Sequence, residues 1–353
     1  MILHLIAYEK FTEDYITRIN RLFDSKNHLF LVFGQKDYSD IKEVKAENVV
    51  YSVDFASKFK CACFLVKNII KAKKVIIHAL FLSNTYLRLL VILQPFSKKK
   101  YFWNIWGYDL YNAYWDKNKN SGREKLRIRF IRNLRAVGYI HGDYDFLLEH
   151  YETNAKFYLA SYTYDFFMPE ASINQKDKET VNILLGNSAT EECQYDQAID
   201  FLEQFKDMPI RIKCVLSYPK ENKDYRNHVI AHGKKVFGEK FEPLLDFMSF
   251  EEYTELLSGI DIAIFNHNRQ QALGNIASLL YLGKRIFINP MNSCKNYFED
   301  IGAKVYSTED LQISEICKKD CTELKKINRK AIDKFFSDKE FKERWRKIFD
   351  EKF

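Results

Sequence analysis

Three polar residues stand near the ends of apolar runs in the first half of this chain: His78 in Ile77-His-Ala-Leu, Asp109 after Trp106-Gly107, and Asp143 in His141-Gly-Asp. An imidazole or carboxylate in such a place can take the proton of an attacking hydroxyl, which is the work of a general base. Asp109 and His78 are the catalytic candidates, with Asp143 left open between a turn role and a wall of the acceptor site. A lone histidine on an apolar strand is more often a core residue whose hydrogen bonds are satisfied. The segment around Asp109, Tyr101-Phe-Trp-Asn-Ile-Trp-Gly-Tyr-Asp-Leu-Tyr111, carries an aromatic residue at most positions. Trp needs a partner for its N–H when buried, and so aromatic a stretch is expected to line something. Trp103, Trp106 and Gly107 therefore join Asp143 as acceptor-side candidates. The plainer reading is an aromatic core strand running into a turn.

The second half offers anion chemistry. Leu185-Gly-Asn-Ser188 follows an apolar run, and a turn of this kind presents backbone N–H groups and a hydroxyl to an anion. Further on, Ile260-Asp-Ile-Ala-Ile-Phe265 leads into Asn266-His-Asn-Arg-Gln-Gln-Ala-Leu-Gly-Asn275. Arg269 supplies a planar donor fork suited to phosphate, and a helix starting near Gly274 adds aligned N–H groups and a partial positive charge. Two negative charges on a leaving diphosphate could be compensated there without a metal. The donor candidates are Gly186, Asn187, Ser188, Tyr218, Phe247, Met248, Arg269, Gln270, Gln271, Gly274 and Asn275; no cofactor and no metal are expected.

The elements that must position these residues alternate along the whole chain. Strand-like runs at 2–7, 29–32, 49–53, 75–80, 101–106 and 137–141 are separated by helical periodicity at 15–23, 59–72 and 86–94. After a polar break at 166–178 the alternation resumes, with strands at 181–185, 210–216, 241–245, 260–265 and 285–288 and helices at 195–205, 221–236, 251–257 and 272–282. That pattern predicts parallel α/β architecture in two doubly wound halves, residues 1–168 and 178–320. A charged helical tail at 321–353 is expected to pack back on the first half. Ligands in such sheets sit beyond the carboxyl ends of the strands, which places the expected active site between the halves.

Composition narrows the class. The 353 residues are 46% hydrophobic and 16% aromatic, with a net charge of +7. Seven scattered cysteines without zinc-ligand spacing indicate reduced thiols in a cytosol. The first residues read as a strand and not as a signal peptide. The longest apolar region, 75–96, is interrupted by His78, Asn84, Arg88 and Gln94, so it does not span a bilayer. Basic residues cluster between Asp116 and Arg135, with apolar residues at Leu126, Phe130, Ile131 and Leu134. This suggests a basic amphipathic helix for an anionic membrane surface, or else an ordinary helix with a solvated basic face. No nucleic-acid signature accompanies it.

The Phe-Trp-x-Ile-Trp-Gly-x-Asp-Leu-Tyr pattern at 102–111, together with Arg269-Gln270-Gln271 and Gly274, resembles the TDP-N-acetylfucosamine:lipid II N-acetylfucosaminyltransferases of enterobacterial common antigen synthesis. Gly186-Asn187-Ser188 and Gly142-Asp143 match as well. Ala79 stands where that family has glycine in His-Gly-x-Phe, and Ser217 replaces the glycine of its Gly-Tyr-Pro turn. The resemblance covers roughly residues 75–310. It implies the GT-B fold, a dTDP-linked 4-acetamido-4,6-dideoxyhexose donor, and a polyprenyl-diphosphate-linked saccharide acceptor. The implied location is peripheral, on the cytoplasmic face of the plasma membrane. In GT-B proteins the loop near Phe247 packs beside the nucleobase. The alternatives are a UDP- or GDP-sugar glycosyltransferase of capsule or O-antigen assembly, and a non-enzymatic two-lobed ligand-binding protein.

Overall fold

Parallel strands buried on both faces read as continuous apolar runs, and both halves of the chain are built on them. The computed structural model describes residues 1–9, 11–34, 43–115, 121–162, 179–219, 222–317 and 321–351. The polar break at 166–178, where the sequence suggests a domain boundary, lies outside the described residues. One unit comprises Met1–Tyr164 with Phe336–Phe353, the other Asp165–Phe335.

In the first unit, β1 (Ile2–Ala7), β2 (His28–Phe33), β3 (Val49–Tyr51), β4 (Lys74–His78), β5 (Tyr101–Asn104), β6 (Ala136–Tyr139) and β7 (Lys156–Leu159) form one sheet. Its order is β3-β2-β1-β4-β5-β6-β7, and every pair is parallel. In the second, β8 (Val181–Leu185), β9 (Ile210–Val215), β10 (Phe241–Leu244), β11 (Ile262–Phe265), β12 (Arg285–Ile288) and β13 (Tyr306–Ser307) follow the order β10-β9-β8-β11-β12-β13, also all parallel. Each sheet reverses its strand order beside its first strand, between β1 and β4 and between β8 and β11. Crossovers leave that point toward opposite faces and open a crevice at the carboxyl ends.

Several elements depart from the periodicity. Residues 108–115 and 141–151 are helices, Tyr108–Trp115 and His141–Tyr151, where the sequence suggests turns. Their His, Gly, Asp and aromatic residues are mediocre helix formers. Burial of Leu110, Tyr111, Leu147 and Tyr151 favours the helical state instead. Strand β7, helix Ser293–Asp300 and β13 are likewise too short for periodicity to reveal.

The charged tail divides in two. Helix Thr322–Phe336 falls in the second unit up to Phe335, while helix Asp338–Asp350 belongs to the first. Ser337 caps the latter through the Glu340 N–H, and Trp345 is fully buried with its indole N–H donating to the Ser161 carbonyl at 2.9 Å. Arg18 bonds Asp338 at 2.8 Å and lies 4.4 Å over the Phe341 ring. A partly buried ion pair and a cation–π contact thus fix the helix's register.

Beneath Trp345 runs a line of buried imidazoles. His28 Nδ1 is 2.9 Å from His4 Nε2, and His4 Nδ1 is 3.1 Å from His78 Nε2. His78 Nδ1 meets the Tyr162 hydroxyl at 2.5 Å, which also accepts the Trp106 indole N–H at 2.6 Å. In each link one nitrogen donates and the next accepts, so the line is satisfied with every ring neutral. Burial depresses all three: His4 well below the ordinary range, with His28 and His78 adding to the effect, His28 to about 4, and His78 to about 3. Because the folded values lie below the unfolded one of about 6.5, the unfolded chain binds more protons in acid. Stability from the neutral line is therefore complete above pH 6.5 and lost as pH falls through the folded values. Each histidine should contribute a slope of about 1.4 kcal/mol per pH unit in that window. Urea unfolding between pH 7 and pH 4.5 checks this, and a flat profile would contradict the neutral line.

Candidate functional site

The ends of β1, β2 and β4 border a pocket of about 390 Å³ in the first unit, with Ala7, Tyr8, Glu9 and Gly34 on one side and His78, Ala79 and Phe81 on the other. Among the described residues Glu9 supplies the one carboxylate of its lining. It is exposed, and its backbone N–H donates to Thr12 Oγ1 at 3.1 Å. The Thr12 hydroxyl in turn donates to the Ala7 carbonyl at 2.7 Å, which shapes the loop behind the carboxylate. Ala79 has φ 61°, a left-handed conformation that costs an alanine about 1–2 kcal/mol and glycine little. This accounts for the glycine in the resembling pattern. Aromatic rings rim the site: Trp106 lies 4.6 Å from Phe11 and 6.0 Å from Phe81, and Phe81 lies 6.2 Å from the half-exposed Tyr108.

Asp109 does not present a carboxylate to this pocket. It is 2% exposed. Its Oδ2 accepts the Leu80 N–H at 2.9 Å and the Trp103 indole N–H at 2.8 Å, and its Oδ1 accepts the Trp106 N–H at 2.8 Å. Burial pushes its pKa up, opposed by the N–H groups of Trp106, Leu80 and the Trp103 ring and by the charge of Arg127. Both oxygens serve to tie the ends of β4 and β5 to the helix that follows. His78 is likewise committed, with one nitrogen on His4 and the other on Tyr162. The expectation that either is the base is corrected on that ground: neither offers a polar atom to a substrate.

The acceptor-side candidates separate as well. Trp103 is fully buried core, and Gly107, buried with φ 91°, is the residue that lets the chain turn into helix Tyr108–Trp115. Asp143 is fully buried and accepts the Tyr111 hydroxyl at 2.8 Å. Only Trp106 is near the pocket, through Phe81. The basic helix, Gly122–Arg132, turns Arg127 inward. Arg127 pairs with Glu124, donates to the Asp109 carbonyl, and reaches the Tyr151 hydroxyl at 3.0 Å. Phe130, Ile131 and Leu134 are buried and Leu126 is half-buried, so most of the apolar stripe of this segment packs inward.

In the second unit the structure brings two predicted loops together. Gly186 ends β8 with φ 67°, and a Cβ there would collide with the Tyr195 phenol. That phenol donates to the carbonyls of Ser188, at 2.9 Å, and Val215, at 2.7 Å, so glycine is required for the turn to close. Ser188 Oγ accepts Gln271 Nε2 at 2.8 Å, joining this turn to the loop after β11. In that loop Asn268 N–H donates to the Glu192 carbonyl at 3.1 Å. Arg269 is 8% exposed, with its guanidinium on the Gln270 carbonyl at 3.1 Å and 3.8 Å from Glu192 Oε1. Gly274 and Asn275 open helix Leu273–Tyr281. Tyr218 follows β9, the strand beside β8, and its carbonyl accepts the Ala189 N–H at 2.5 Å. Phe247 and Met248 follow β10, one strand further out, and Phe247 is 69% exposed.

Comparison with known proteins agrees with this architecture. The family described as 4-alpha-L-fucosyltransferase, glycosyl transferase group 56, matches residues 10–352. The chain belongs to this family. It is a glycosyltransferase, which removes the non-enzymatic binding protein from consideration. Among solved structures, a glycosyltransferase from Rickettsia africae is similar over 99% of this chain and 97% of its own, at TM-score 0.66 and 13% identity. Sucrose-phosphate synthase from Thermosynechococcus elongatus aligns over 99% and 98%, at TM-score 0.67 and 8% identity. The HepE protein of Anabaena, in complex with UDP and glucose, aligns over 99% of both chains, at TM-score 0.66 and 8% identity. These likenesses show the fold, GT-B, with its two Rossmann-like domains.

Three residues of the glycosyltransferase escape the sequence reading. Glu9 is signalled only by being a carboxylate just past the first strand. His267 is fully buried, and neither ring nitrogen makes a hydrogen bond of ordinary geometry. Cys193, beneath the Gly186–Ser188 turn, is raised by burial, but His267 and the hydroxyls of Ser188 and Thr190 outweigh this and bring it down to about 6. Among the described residues no group of His, Cys, Asp or Glu is placed to hold a metal ion.

If Asp109 is a clamp, Asp109→Asn should cost stability, because the amide turns an N–H toward a donor. The expected loss is about 2–3 kcal/mol in urea unfolding. A variant as stable as the parent that still loses turnover would restore Asp109 as the base.

Proposed function

We propose that this glycosyltransferase moves a 4-acetamido-4,6-dideoxyhexose from dTDP to a polyprenyl-diphosphate-linked saccharide, acting peripherally at the cytoplasmic membrane face. The observation that carries the donor half is the joined pair of loops at the β8/β11 reversal. There Gly186, Asn187, Ser188, Arg269, Gln270, Gln271 and Gly274 cluster around buried polar atoms of His267 and Gln271 Oε1 that make no hydrogen bond. Buried polar groups left so are costly unless a ligand satisfies them; diphosphate oxygens accept from a His267 N–H, and a hydroxyl of the nucleotide sugar donates to Gln271 Oε1. Arg269 and the start of the Leu273 helix would take the charge that grows on the leaving group. Phe247, largely exposed, suits stacking on the nucleobase. The sugar identity rests on the resemblance of the residues at 102–111 and 269–274.

In the first unit Glu9 takes the part assigned by sequence to Asp109. The acceptor oxygen attacks the anomeric carbon, the bond from that carbon to the diphosphate oxygen breaks, and the hydroxyl proton passes to the Glu9 carboxylate. A second reading, with UDP in place of dTDP, is favoured by the UDP held by the Anabaena protein. Thermal unfolding with dTDP, UDP, GDP and CMP separates the two by which nucleotide raises the midpoint.

Arg269→Ala should weaken nucleotide binding by about 1.5–3 kcal/mol, the range for a hydrogen bond to a charged group. Calorimetric titration with dTDP measures it, and unchanged affinity would remove Arg269 from the diphosphate site. For the base, Glu9→Gln should lower kcat by roughly 10²–10⁴-fold while dTDP affinity stays as in the parent. Near-normal turnover in that variant would show that another group accepts the proton.

A further inference from the structure

From Asp54 to Asp109 the sequence contains no other Asp or Glu. Two helices of this stretch, Lys58–Lys71 and Asn84–Ser97, pack side by side in the first unit. Their C-terminal ends are tied by Lys100, whose ammonium donates to the Ile70 carbonyl at 3.1 Å. Each buries a conventional inner face, Cys61, Leu65 and Ile69 on one and Leu87, Leu90 and Val91 on the other. Yet the outer face is also apolar. Phe96 is 88% exposed, Phe59 76%, Ile70 65% and Ile92 62%. Arg88, Ile92 and Phe96 follow one another at four-residue spacing and so share one line along the helix. Exposed Lys67, Lys71, Lys73 and Lys99 stand among these side chains.

We propose that this two-helix face docks the protein on an anionic lipid bilayer. Large exposed apolar side chains grouped on one face mark an interaction surface. Aliphatic and phenyl groups that enter the headgroup region, ringed by cations and free of acids, match the chemistry of an interfacial helix on anionic lipid. A protein partner of ordinary composition would not require every charge on the face to be positive. The sequence leaves the helix Gly122–Arg132 open between a membrane face and an ordinary helix with a solvated basic face; it buries Phe130 and Ile131, and the proposed membrane face lies on other helices. The inference deepens the lipid-linked acceptor reading and rests on it for its purpose.

Co-sedimentation with phosphatidylcholine vesicles, with and without phosphatidylglycerol and without donor or acceptor, tests the surface by itself. The parent protein should bind only the vesicles containing phosphatidylglycerol, and less as salt rises. Ile70→Ser with Phe96→Ser should lower partitioning at least about tenfold. Lys71→Gln with Lys99→Gln should lower it by about fivefold for each cation. Lys125→Gln with Arg129→Gln, on the helix Gly122–Arg132, should bind like the parent. Urea unfolding confirms the fold of each variant, and Phe96→Ser alone serves if the double variant is unstable. The proposal is overturned if the two-helix variants bind like the parent, or if the parent binds neither vesicle. It is overturned too if the parent is a dimer in solution that Phe96→Ser breaks. Calorimetric dTDP binding, which these variants should retain, reports separately on the donor reading.

Discussion

Parallel strands cannot be joined by short hairpins, so each must be followed by a crossover, and crossovers are right-handed. To cover both faces of such a sheet, the strand order has to reverse somewhere. In this chain it reverses twice, between β1 and β4 and between β8 and β11. Most of the candidate site residues lie at those two places. Glu9 and Ala79 lie past β1 and β4, while Gly186, Ser188 and the loop from Asn266 lie past β8 and β11. The location of the chemistry follows from the topology, whichever residues are then placed there.

What those residues can do depends on whether their polar atoms are already taken. Asp109 is the clearest case: three N–H groups converge on one buried carboxylate, and Arg127 braces the backbone on the other side. The result is a rigid junction between two strand ends and a helix, which holds Trp106 in the pocket rim. The second unit shows a different condition, since His267 sits fully buried beside the Gly186 turn, in interaction with the Cys193 thiol and with neither ring nitrogen in a hydrogen bond of ordinary geometry. A committed group holds a site in shape.

The first unit also depends on a segment remote in sequence. Trp345 and Phe349, from the C-terminal helix, cover the line of His28, His4 and His78, with Trp345 5.8 Å from the His78 ring and Phe349 4.9 Å from the His28 ring. Closing that lid keeps water from the imidazoles, which holds them neutral and their hydrogen bonds in register. Because the chain returns from the second unit to do so, the integrity of the first unit includes residues that a division by sequence position would assign elsewhere.

The sequence by itself determined the two doubly wound halves, since apolar runs and helical periodicity are local properties that each segment carries regardless of its neighbours. It also determined the Gly186–Ser188 turn and the Arg269 loop, because glycine conformations and strand-to-helix junctions leave their mark within a few residues. The short helices at 108–115 and 141–151 were not legible, as their residues favour helix only once buried. Nor was the role of the polar residues. Asp109 and Glu9 are both carboxylates beyond a strand end, and nothing in either stretch tells a buried clamp from an exposed side chain. Only the tertiary structure decided that, by bringing the N–H groups of Leu80 and Trp103 onto one and placing the other, exposed, in the lining of a pocket. The same holds for the basic helix, whose apolar stripe becomes core or surface according to what packs against it. Hydrogen-bond saturation and burial are properties of contacts between distant residues, so they exist only in the folded chain.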